Sequence, residues 1–88
     1  MKIHGEYILR EVVGEYVLVP VGQTALEFNG IISLNEVGAC IWKQLEKNSS
    51  RTEMLQAVLE EFDVSEGRAE ADLEEFLQML QERKLLEP

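Results

Sequence analysis

At 88 residues the chain has room for one domain with one core, and a domain this small buries only about 60–65% of its unfolded surface. Function is therefore expected on the surface or in a groove rather than in a deep cavity. Hydrophobic residues make up 45% and charged residues 28%, the usage of a globular protein, while seventeen acidic against eight basic residues give a net charge of −9, which repels phosphate backbones and anionic membranes and excludes nucleic acid and membrane as expected partners.

Cys40 is the single cysteine, so no internal disulfide can form, as suits a reducing cytoplasm. Met1-Lys2-Ile3-His4-Gly5-Glu6 lacks the apolar run of a signal peptide, and no window approaches the ~20 apolar residues of a membrane span. A cytoplasmic protein is expected.

The first third of the chain reads as strands. Tyr7–Val13 and Tyr16–Val21 are rich in β-branched and aromatic residues, and the two residues between them, Gly14-Glu15, predict a tight hairpin. Gly22-Gln23-Thr24 reads as a second turn. Ala25-Leu26-Glu27-Phe28-Asn29 then alternates apolar and polar, and Gly30-Ile31-Ile32-Ser33 continues it with a bend at Gly30, which predicts a third strand and a small antiparallel meander.

The remainder reads as three helices. Asn35 is the N-cap of the first, in which Val37, Ile41, Trp42 and Leu45 recur at helical spacing to about Glu46. Ser50 and Glu53 form a capping box at the head of the second, whose Leu55, Val58, Leu59 and Phe62 share a face. Ser65 caps the third and longest, with Val64 placed to staple onto Ala69. Its stripe is Ala69, Leu73, Phe76, Leu77 and Leu80, and it runs to about Arg83. Leu85-Leu86 is a short apolar tail expected to close over the core. Strands first and helices after make the class α+β, a single domain over residues 1–88 with a three-stranded antiparallel sheet followed by three α-helices on one face.

Catalytic constellations are thin. His4 lies in an N-terminal tail, and one histidine with one cysteine cannot complete a four-ligand metal site, so neither metal nor cofactor is expected. Cys40 falls mid-helix, where a buried, inert thiol is the usual state. The carboxylates of Glu60-Glu61-Asp63 and Asp72-Glu74-Glu75 occupy polar helix positions and read as a solvated face. No phosphate loop, zinc spacing or calcium loop is present. The chain is therefore not expected to be an enzyme.

Two helices joined by Asp63-Val64-Ser65 and flanked by a hairpin can be assembled as a winged helix. From Asp63 onward, however, eight acidic residues face three basic ones, a balance a DNA major groove would expel. Two readings stay open from the residues alone: a winged-helix regulator or protein-docking module, and a small enzyme.

The stretch Gly30-Ile31-Ile32-Ser33-Leu34-Asn35-Glu36-Val37-Gly38-Ala39-Cys40-Ile41-Trp42 resembles the strand-to-helix segment of the PqqD family, with its Leu-Asn, Gly-Ala and Ile-Trp in order. The hairpin before it, the acidic second helix ending in Glu-Glu-Phe-Asp-Val and the close on Leu-Leu-Glu extend the likeness along nearly the whole chain. One departure is that Lys47-Asn48-Ser49 replaces the Asp-Gly often found after the first helix. The resemblance implies a winged helix-turn-helix-like domain that binds the leader segment of a ribosomally made precursor peptide and delivers it, as a non-catalytic adaptor, to a modifying enzyme, commonly a radical S-adenosylmethionine enzyme. It further implies that the leader adds as a strand to the third strand, beside the third helix.

Two features of the residues fit that implication. The third-strand region, Leu26, Glu27, Phe28, Asn29, Gly30, Ile31 and Ile32, carries one charge and is weakly defended against strand addition. On a helical wheel Asp72, Phe76, Met79 and Arg83 share one flank of the last helix, where methionine suits an adaptable groove, although Phe76 alone reads first as a core ring. Arg68 and Arg83 are expected to read acidic groups on the peptide. Gly38 implies close packing of its helix, Trp42 is expected to anchor the core, and Tyr7 and Tyr16 to pack across strands. A free edge strand can also pair with its own copy, so a homodimer is left open.

Overall fold

The hairpin that opens the main sheet turns at Val13-Gly14 in the computed structural model of the chain, which describes residues 1–28 and 30–87. Strand β2 (Tyr7–Val12) pairs antiparallel with β3 (Glu15–Pro20), with Val12 opposite Glu15. The turn thus falls one residue earlier than Gly14-Glu15. Both of its residues have positive φ, 51° at Val13 and 78° at Gly14, as the tight primed turn requires. Val13 accepts a conformation that β-branched residues disfavour.

The largest departure from the sequence reading follows β3. Residues Gly22–Glu27 form a short helix, α1, rather than a turn and a strand. Thr24 Oγ1 accepts a 2.8 Å hydrogen bond from Glu6 N, and Thr24 O accepts one of 2.8 Å from Phe28 N, so local bonding within and onto the turn outweighs the brief alternation of Leu26-Glu27-Phe28. Leu26 is 80% exposed. Phe28 alone reaches the core, its ring edge-on to Tyr7 at 6.3 Å. The strand proper is β4, Ile32–Leu34, which pairs antiparallel with β3 through Leu18↔Ile32, Val17↔Ser33 and Tyr16↔Leu34. Of the predicted third strand only Ile32 and Ser33 are strand. Asn29 lies outside the described residues.

The three long helices stand where their caps place them. In α2 (Glu36–Glu46) Asn35 Oδ1 accepts from Gly38 N at 2.7 Å. In α3 (Arg51–Glu61) Ser50 Oγ accepts from Glu53 N at 3.1 Å while Glu53 Oε1 accepts from Ser50 N at 2.7 Å. That backbone donation holds the exposed Glu53 carboxyl below its ordinary pKa. In α4 (Glu66–Glu82) Ser65 Oγ accepts from Arg68 N at 3.2 Å.

Beyond α4, Lys84 takes φ 64°. Leu85 N donates to Leu80 O and Lys84 N to Gln81 O, the paired bonds that close a helix and reverse the chain. The reversal buries Leu85 and Leu86, and β5 (Leu86–Glu87) pairs with β1 (Lys2–Ile3), a two-stranded ribbon that the sequence reading did not anticipate. His4 N donates to Leu85 O, so His4 belongs to this ribbon rather than to a frayed tail.

One core unites these parts. Leu18, Ile32 and Leu34 of the sheet meet Ile41, Trp42 and Leu45 of α2, Met54 and Val58 of α3, Leu73, Leu77 and Leu80 of α4, and Leu85-Leu86. Each fully buried aliphatic side chain contributes about 1.5–3 kcal/mol. Met54 is wholly buried while Leu55, Leu59 and Phe62 are only half-buried, so the inner face of α3 is rotated toward Met54 and Val58. The arrangement is the expected α+β one, a three-stranded antiparallel sheet backed by three helices.

Candidate functional site

A groove of about 350 Å³ runs between β4 with the start of α2 on one side and α4 on the other. One wall is Ser33, Leu34, Asn35, Val37 and Gly38; the other is Arg68, Asp72, Glu75, Phe76 and Met79. The walls come together because residue 38 has no side chain. A Cβ there would stand 3.0 Å from Phe76 Cε1 and 3.2 Å from Asn35 Oδ1. Gly38 is therefore the residue that lets α4 lie this near α2 and sets the floor of the groove.

The free edge of β4 opens into the same groove. Val12 and Glu15 bracket a two-residue turn, so even-numbered residues of β2 and odd-numbered residues of β3 direct their amides at one another. Tyr16 and Leu18 accordingly turn theirs toward Leu34 and Ile32 of β4. Ser33, between them, presents its N–H and C=O to the outer side, where it lines the groove. Ser33 is exposed, whereas Ile32 and Leu34 send their side chains into the core.

Along α4 the groove changes character. Phe76 and Met79 are half-buried and join Leu34 and Val37 in an apolar stretch. Toward the helix start, Arg68 Nε lies 3.2 Å and 3.3 Å from the two carboxylate oxygens of Asp72, an i,i+4 pair with the guanidinium largely exposed. Glu75 has no ionic partner among the described residues, since the ion pairs there are Arg68–Asp72, Arg51–Glu74 and His4–Glu87. These side chains can clasp an extended chain by backbone bonding on one side and by apolar and charged contacts on the other. Cys40 is buried in α2, its thiol pushed up to about 12 by burial and then by the neighbouring Glu61 carboxylate at the end of α3, which leaves it a protonated core group.

The structure brings four of the sequence-chosen residues together in the groove: Arg68, Asp72, Phe76 and Met79. Arg83 is the exposed C-cap of α4 and lies outside the groove lining, its N–H bonded to Met79 O. Leu26 and Glu27 belong to α1, Phe28 packs on Tyr7, and Gly30 and Ile31 are exposed; none of them lines the groove. Ile32 lies in β4 with its side chain in the core, and Asn29 lies outside the described residues. Ser33, Asn35, Val37, Gly38 and Glu75 were missed as site residues. The alternation Ile32-Ser33-Leu34 running into the Asn35 cap is the signal that could have shifted the edge by a few residues.

The family model for coenzyme PQQ synthesis protein D matches residues 15–86. Among solved structures, TbiB1 in complex with the TbiA(β) leader peptide superposes with a TM-score of 0.75 at 30% sequence identity, the match covering 99% of this chain and 95% of that one. No curated protein matches the chain. With the family model running from β3 through the groove and all three long helices, this chain belongs to the PqqD family.

Proposed function

We propose that this chain is a non-catalytic adaptor that binds the leader segment of a ribosomally made precursor peptide as an added strand on the free edge of β4, and presents it to a modifying enzyme. The observation that carries this reading is the coincidence of the outward-facing Ser33 backbone with the cleft between β4 and α4. An extended peptide laid there gains main-chain hydrogen bonds from the edge and side-chain pockets from α4, the usual economy of strand addition. The leader peptide held by the TbiB1 neighbour supports it, as do groove side chains suited to holding rather than transforming a ligand. The enzyme that receives the peptide is of the radical S-adenosylmethionine class by family analogy. A cytoplasmic setting goes with this role, and no helix among the described residues is long and apolar enough to cross a membrane.

Backbone parity provides the test. Peptides are first selected by the parent chain from a displayed library of random peptides. Ser33→Pro removes only an outward N–H and is expected to melt nearly like the parent while losing most affinity for those peptides, each lost bond being worth about 0.5–1.5 kcal/mol with the ring adding steric cost. Ile32→Pro removes an inward bond and a core side chain, and is expected to destabilise by about 3 kcal/mol or more. A folded Ser33→Pro variant that binds as the parent does would overturn the reading, as would a parent that enriches no peptide.

A further inference from the structure

Toward the other end of α2 from the groove, a second recess of about 430 Å³ lies between the start of β2 and the last turns of the helix. It shares no lining residue with the groove. Ile3 and Val21 give it aliphatic surface, Tyr7 and Trp42 aromatic rings, and Glu6 and Glu46 carboxylates. No lysine, arginine or histidine lines it, and neither carboxylate has an ionic partner among the described residues. The Glu6 carboxylate rests against Gly22, 3.1 Å from where a Cβ there would stand, so Glu46, exposed at the end of α2, is the freer of the two. The helix terminates at that point, and its last carbonyls add partial negative charge. Lys43, the basic residue of the last turn, is held over the Tyr16 ring instead. Trp42 is 1% exposed, and its Nε1 is the buried side-chain donor that lacks a hydrogen-bond partner among the described residues. Buried indole N–H groups are normally paired, and an unpaired one costs stability. Tyr7, edge-on to the indole at 6.0 Å, is only half-buried and has room to turn toward solvent.

We infer that this recess receives a basic residue, arginine or lysine, of the enzyme to which the leader is presented. The cation sits between Glu46 and the Tyr7 ring, with Glu6 at the rim, and the backbone carbonyl of the same residue accepts the Trp42 N–H as Tyr7 yields. Carboxylates, a helix C-terminus and an aromatic face all favour a cation, while a donor without an acceptor calls for a carbonyl. A basic residue within a polypeptide carries both. An anionic occupant would meet two carboxylates, and a purely apolar one would leave the indole N–H unpaired. Because the recess and the groove have no residue in common, one chain can hold leader and enzyme together. Naming the enzyme as the bearer of the residue rests on the adaptor reading; the chemistry of the recess does not.

The probe is N-acetyl-arginine N-methylamide, which carries the cation and its flanking carbonyls. Trp42 is the single tryptophan, so one indole N–H resonance of the isotope-labelled chain reports on the recess. That resonance is expected to move saturably at millimolar probe, with the neutral citrulline analogue binding about fivefold more weakly. Glu46→Gln, exposed at a helix end, is expected to fold as the parent does and to weaken the arginine probe about threefold, and Glu46→Arg to abolish the displacement. Circular dichroism confirms that both variants fold. The titration contains no groove peptide, so its failure and a failure of the adaptor reading are separate results. An unmoved indole resonance overturns the inference, and so does equal binding of the citrulline analogue or a Glu46→Arg variant that binds as the parent does. A peptide selected on the groove that moves the same resonance and competes with the probe would give the recess to the leader, and would overturn it equally.

Discussion

Gly38 on α2 and Phe76 on α4 are in such close register that a methyl group on residue 38 would come within 3.0 Å of the ring edge and 3.3 Å of its next carbon. Gly38→Ala should gain up to about 1 kcal/mol of helix propensity and lose a similar amount to the crowded ring and to the Asn35 cap, so the melting temperature should move little. The half-buried ring can yield only by turning into the groove. Peptide affinity should therefore fall clearly while stability hardly changes, which calorimetric titration and thermal melting on the same samples would show. Unchanged affinity would mean that the ring does not face the bound chain.

The Arg68–Asp72 pair is exposed on the guanidinium side, with Arg68 70% accessible, and exposed helix pairs are worth only a few tenths of a kcal/mol. Arg68→Ala should cost no more than about 0.5 kcal/mol of stability. Because Asp72 already occupies the guanidinium, Arg68→Glu should weaken peptide binding by less than about 1 kcal/mol, and the effect should shrink as salt rises. Arg83→Glu, away from the groove, should leave affinity alone. Titrations at low and high ionic strength separate these outcomes, and a large, salt-insensitive loss at Arg68 would mark a desolvated contact.

Cys40 couples stability to alkaline pH. Its thiol ionises near 9.0 when unperturbed but is held to about 12 in the fold, by burial first and then by Glu61. Between these values the unfolded chain releases a proton that the folded chain keeps, so the stability present below pH 9.0 is lost as pH rises through the window, at up to about 1.4 kcal/mol per pH unit. Cys40→Ala has no thiol to ionise. Denaturant melts at several alkaline pH values should show the parent losing ground to Cys40→Ala as pH increases, and a disulfide-exchange reagent at pH 8 should label Cys40 only after unfolding.

Much of this molecule is legible along the chain because the responsible interactions are local. The Asn35, Ser50 and Ser65 caps each bond an amide three residues on, so a short stretch of residues contains both donor and acceptor, and all three long helices begin where those caps predict. The helical flank of Arg68, Asp72, Phe76 and Met79 is likewise a matter of period. The edge of the sheet is not. Leu26–Phe28 alternates as a strand would, yet Leu26 and Glu27 end a short helix, α1, that Thr24 ties to Glu6, eighteen residues away in sequence. Nothing within the window records that bond. The terminal ribbon of β1 and β5 joins the two ends of the chain, and the approach of Phe76 to Gly38 joins two helices. Caps and helical faces were thus determined by sequence alone, while the position of the free sheet edge, the width of the groove and the closure of the termini were decided by tertiary packing, because hydrogen bonds and steric contacts between distant segments leave no periodic trace in either segment.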